Sequence, residues 1–219
     1  MAEKSKPSLP IAFIGFVALV ITAFFLSLLF SVVIEWLGIF FEWWDQPGAQ
    51  HAKSILAKEI SWLNSDFKNY VIQPSDMAGL MLSEFDRVVV QSSAMAKTVD
   101  FVGAESPLVQ YIAAMLMVIQ TGLLRLTVIL MSLPALLLFV VYALIDGLGE
   151  RDVRTWSGGR ETSFVYHHAK SYIVPFMLLP VALYLSLPIS IHPSLFMILF
   201  ALPASFTIWV SAKYFKKYL

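Results

Sequence analysis

The chain has 219 residues, of which 58% are hydrophobic, with 17 Phe and 6 Trp; soluble domains run at about 45–50% apolar, so a polytopic membrane protein is expected. Its formal net charge is zero, which provides no global basic field and argues against direct contact with nucleic acid. It has no cysteine, and that removes disulfides, thiolate nucleophiles, Cys-ligated metals and iron–sulfur clusters.

The first segment, 1–10, carries Lys4 and Lys6, and no charge follows until Glu35. A span needs roughly 20 apolar residues, so 11–44 reads as transmembrane helix 1 with an aromatic exit, Trp36 to Trp44, beside Glu35, Glu42 and Asp45. A cleaved signal peptide is the alternative for this end. It is disfavoured because the apolar run far exceeds the roughly 7–15 residues of a signal core.

Segment 45–105 holds eight acids and five bases, a net charge of −3. Ile55, Leu56, Ile60, Leu63 and Phe67 recur at helical spacing, as do Met77, Leu80, Met81, Phe85, Val88 and Val89, so a helical hairpin is predicted with Ser75 capping its second member. The Met-bearing stripe reads as packing surface. Two helices in some 60 residues make a small core, which implies support from the spans or from a partner.

From 106 to 145 the only charge is Arg125. One long helix containing transmembrane helix 2 is preferred over two spans, because the sequence around Arg125 offers little turn chemistry. Pro134 is expected to kink it. Gln120 and Arg125 are the polar residues of this run that matter. Arg125 belongs either near the interface, by snorkelling, or in the membrane interior, where a charge marks a path or a buried partner.

The segment 146–170, DGLGERDVRTWSGGRETSFVYHHAK, contains four acids and four bases. It reads as a loop in which Gly147, Gly149, Gly158 and Gly159 permit tight turns. Segment 171–212 is free of Asp, Glu, Lys and Arg and reads as a hairpin of transmembrane helices 3 and 4, bent at Pro175, Pro180 and Pro203, with His192 capping or facing the interface. The tail 213–219 carries Lys213, Lys216 and Lys217. The fold class is therefore all-α, with four transmembrane helices, both termini cytoplasmic and a helical periplasmic segment. The base count supports that orientation: nine bases (two, four and three) fall in the cytoplasmic segments and five in the longer exterior one.

Chemistry is hard to place in this pattern. Glu161, His167 and His168 match no zinc spacing, and adjacent histidines on a helix point about 100 degrees apart. Ser194 near His192 lacks an orienting acid, and Gly158-Gly159 lacks the Lys-Ser/Thr of a phosphate loop. No catalytic residue, metal or cofactor is expected. Recognition is more economical: Arg151, Arg154, Trp156, Arg160, Glu161, His167 and His168 form the candidate partner-binding set, since Arg and Trp are favoured interface anchors.

The runs Arg151-Asp152-Val153-Arg154, Gly158-Gly159-Arg160-Glu161 and His167-His168-Ala169-Lys170, followed by an apolar Pro-containing hairpin, resemble a family of membrane proteins encoded in integrating conjugative elements and related plasmids. The resemblance implies a bacterial inner-membrane component of conjugative DNA transfer, with type IV secretion proteins and a coupling-type ATPase as neighbours. Expected partners are therefore membrane lipid, that ATPase or other conjugation-channel proteins, and a second copy of the chain. A scaffold or adaptor is the leading reading, and a homo-oligomeric channel with Arg125 near its path is the alternative.

Overall fold

The computed structural model describes residues 9–66, 73–91, 106–158 and 163–215, without the side chains of Leu9, Ala12, Phe13 and Ser163. Every regular element among them is helical: α1 (Leu9–Phe40), α2 (Gln50–Asp66), α3 (Pro74–Phe85), a π-helical turn (Asp86–Val90), α4 (Pro107–Trp156), α5 (Ser163–Ser186) and α6 (Pro193–Lys213). Helices α1, α4, α5 and α6 are each long and apolar enough to cross a membrane. In a bilayer core a helix satisfies its own backbone polar groups, which is why apolar runs of this length take no other form.

Helix α4 is continuous for 50 residues, about 75 Å at 1.5 Å per residue, more than twice the roughly 30 Å of a hydrocarbon core. The turn expected to be absent near Arg125 is absent. Ser106 caps its start, its hydroxyl accepting from Leu108 N–H, with Pro107 at the first helical position. The helix does not stop at Ile145 but runs through the polar stretch to Trp156. The predicted loop is thus mostly helix, and only residues 157–162 separate α4 from α5. Gly147 is a packing glycine rather than a turn: a Cβ there would meet Trp209 O at 2.7 Å and Ala212 Cβ at 2.8 Å. The turn role falls to Gly158, with φ +70°.

At one end of the bundle α2 and α3 pack on the first half of α4. The core joins Leu63 of α2, Ala78 of α3, Leu124 and Val128 of α4, and Phe196 and Phe200 of α6. Tyr184 stacks on Phe196 at 4.3 Å. The expected stripe of α2 lies inward as far as Leu63, and Phe67 falls outside the described residues. Two members of the expected α3 stripe, Leu80 and Val88, are exposed instead, the packed face of α3 being carried by Ala78 and Leu82. Ser75 does not cap α3. Gln73 occupies that position with Pro74 after it, and the Ser75 hydroxyl donates to Gln73 Oε1 at 3.5 Å. His192 does cap α6, its Nδ1 accepting from Ser194 N–H at 3.2 Å.

The exit of α1 doubles back through a left-handed residue at Glu42, φ 53°. Trp43 N–H returns to Gly38 O at 2.9 Å and Glu42 N–H to Ile39 O at 3.4 Å, the bond pair of a Schellman cap with a non-glycine residue in the glycine seat. Gly38 leaves room for the Trp44 indole, which occupies the space a Cβ would take.

Candidate functional site

Two polar centres stand out, one at each end of the bundle. At the α2–α3 end, Arg125 is 1% exposed, and every N–H of its guanidinium is used. Nε donates to both oxygens of Glu59 at 3.1 Å, Nη1 to Tyr184 O at 2.6 Å and Leu187 O at 2.8 Å, and Nη2 to Glu59 Oε1 and to Ile189 O at 2.6 Å. Arg125 therefore ties α4 to α2 and to the end of α5, where a cation also complements the negative pole of the helix. The Tyr184 ring lies 5.1 Å from the guanidinium carbon. Burial pushes the Glu59 carboxyl above its ordinary range, against the opposing pull of Arg125.

A second buried pair fixes the start of α2. Glu35 of α1 is fully buried and meets His51 Nδ1 at 3.0–3.1 Å. The Trp44 ring stacks on His51 at 3.9 Å. Gln120, the other polar residue predicted for the membrane interior, donates to Asp86 in the π turn at 2.6 Å and so anchors α3. Gln120 holds the π turn after α3 onto α4 and Arg125 holds α2 onto it.

Glu35, His51 and Glu59 were not singled out from the sequence. A signal for one exists: Glu59 sits seven residues after Ala52 and four before Leu63, in the apolar stripe of α2. A lone acid there and a lone base in the apolar run of α4 each need a countercharge.

At the opposite end, the predicted recognition residues divide. Arg154 turns inward: Nη2 donates to Lys213 O at 2.6 Å, capping α6, the guanidinium carbon lies 4.5 Å from the Tyr214 ring centroid, and the buried Nη1 has no hydrogen-bond partner among the described residues. Nearby, Trp209 donates to Asp146 at 2.7 Å and Lys213 pairs with Glu150 at 3.0 Å. Arg151 pairs with Asp152 at 2.8 Å on the surface. His168 Nδ1–H donates to Phe164 O at 3.0 Å, and His167 meets the Tyr166 ring edge at 5.5 Å. Trp156 is 91% exposed, and Val153, one turn before it, is 70% exposed. Arg160 and Glu161 lie outside the described residues, as do Lys4, Lys6, Lys216 and Lys217. Among the described residues no group of three His, Asp or Glu could hold a metal ion.

The fold is an all-helical chain with four helices long and apolar enough to cross a membrane, braced by buried ion pairs at one end and leaving Trp156 bare at the end of α4. The chain belongs to the DtrJ-like family of IncC plasmid conjugative DNA transfer proteins, whose sequence model matches residues 43–216. No curated protein and no solved structure matches it. Its role is thus in conjugative DNA transfer, in keeping with the likeness to conjugative-element proteins carried by residues 151–170.

Proposed function

We propose that the chain is a non-enzymatic scaffold or adaptor of the conjugative type IV secretion apparatus in the bacterial inner membrane. Both termini and the 146–170 region face the cytoplasm, and α2 and α3 lie in the periplasm, in accord with the distribution of bases along the chain. The α4–α5 tip docks a coupling-type ATPase or another channel subunit. The observation that carries this reading is the 91% exposure of Trp156, about 16 Å beyond Ile145 along the helix axis. That is past the last residue of the apolar run, while among the described residues Arg154, Asp146 and Glu150 turn to contacts within the bundle. An exposed Trp beside Val153 and Arg151 is the composition of an interface anchor.

Co-purification of solubilised protein from donor cells tests it. Trp156→Ala combined with Arg151→Ala should lose the partner and lower transfer frequency at unchanged protein level. Retention of both by the double variant would end the docking reading.

A further inference from the structure

Between α4, α5 and α6, on the side of the bundle away from Asp146 and Trp209, lies a groove of about 360 Å³, within the range of about 300–1,000 Å³ seen for ligand sites. Its walls are apolar, with Leu144 and Leu148 from α4, Ile173 from α5 and Ile208 from α6. Its mouth holds Tyr166, Lys170 and Phe215. The two rings meet at 5.7 Å, and aromatic residues of this kind settle at headgroup depth.

The charges at this mouth differ from those on the other side of α6. There Lys213 is paired with Glu150 and Arg154 with a helix carbonyl. Lys170 is exposed, its ammonium lies 5.8 Å from the Tyr166 ring centroid, and among the described residues no carboxylate pairs with it. Arg151, one turn beyond Leu148 on α4, is already paired with Asp152. The Ser211 hydroxyl beside the groove is already committed to Thr207 O at 2.7 Å, which leaves Lys170 as the charged donor of the lining. An apolar slot with an ammonium at its mouth that no described carboxylate pairs is complementary to one ligand class.

We propose that this groove holds an anionic phospholipid, its acyl chain against Leu144, Leu148, Ile173 and Ile208 and its phosphate at Lys170. The inference is independent of the docking reading, since Lys170 and the groove are not part of the Trp156 tip.

The test uses the full chain, delipidated in detergent and re-equilibrated with equal amounts of phosphatidylglycerol and phosphatidylcholine of identical chains, with retained lipids counted by native mass spectrometry. Retained lipid should be enriched in phosphatidylglycerol by about five-fold, the effect of one cation at an anionic headgroup. In Lys170→Gln the enrichment should fall towards one. Leu148→Trp, which fills the slot, should lower the number of retained lipids, and Arg87→Gln on α3 should change nothing. Lys170 is exposed, so the Gln variant keeps the test decisive even where Leu148→Trp fails to fold. Equal retention of the two lipids by the wild-type chain, or unchanged enrichment in Lys170→Gln, would overturn the proposal. Displacement of bound lipid by inorganic phosphate would do the same, because it would mark a phosphate site without an acyl anchor.

Discussion

Replacing Arg125 by Met removes the charge that holds α2 to the membrane helices. Glu59, 1% exposed, is left as a buried carboxyl without its partner, and breaking such a pair from one side costs about 3–5 kcal/mol. At about 2–4 °C per kcal/mol for a chain of this size, Tm falls by on the order of 10 °C. Arg125→Met/Glu59→Leu should recover part of that loss, since an apolar pair of similar volume tolerates burial. The recovery is incomplete because the carbonyls of Tyr184, Leu187 and Ile189 still lack the donors Arg125 supplied.

The same variant has a signed pH dependence. With the guanidinium gone, burial acts on Glu59 unopposed, so its folded-state pKa stands above the unfolded value. The stability contribution of a group shifted this way is fully present below its ordinary value of 4.5 and is lost as pH rises through the raised folded value. The Tm gap between Arg125→Met and wild type should therefore be smaller near about pH 5 than near about pH 8. Thermal unfolding in detergent, followed by Trp fluorescence at both pH values, measures all of this. A single variant within about 2 °C of wild type, or a double variant as low as the sum of the singles, would refute the reasoning.

Three further outcomes follow from the geometry. Gly147→Ala should cost about 1–3 kcal/mol because its Cβ meets the α6 backbone. Gly149→Ala, two residues on in open space, should be neutral or stabilise by up to about 1 kcal/mol, and comparing the two Tm values isolates the close approach. His51→Ala should release the start of α2 from Glu35, seen as faster limited proteolysis of 45–66 with the α4–α5 tip unaffected; equal proteolysis rates would contradict the role of the pair. Glu42→Gly should stabilise by about 0.5–1 kcal/mol, since φ 53° suits glycine, and a lowered Tm would count against the cap assignment.

The apolar spans were legible because bilayer thickness and backbone satisfaction leave so few solutions. The 32 residues of α1, the uninterrupted α4 and the α5–α6 hairpin all follow from run length alone. The far end of α4 was not legible. Glycines at 147 and 149 suggested turns, yet neither ends a helix, and α4 continues until Gly158 supplies the left-handed residue. The buried pairs were hidden for a different reason: Glu59 and Arg125 are 66 residues apart, and nothing local says that they meet. The contact of Arg154 with the end of α6 was hidden in the same way, since nothing near it in sequence points to Lys213 O. Trp156 stays bare at 91% exposure.

A photo-crosslinking amino acid placed at 156 in the full chain, expressed in donor cells carrying the conjugative element, tests the docking claim most directly. The account predicts an ultraviolet-dependent adduct with a coupling-type ATPase or another transfer-channel subunit, absent when the same residue is placed at Tyr142 within the apolar run. Adducts with lipid alone at both positions would contradict it.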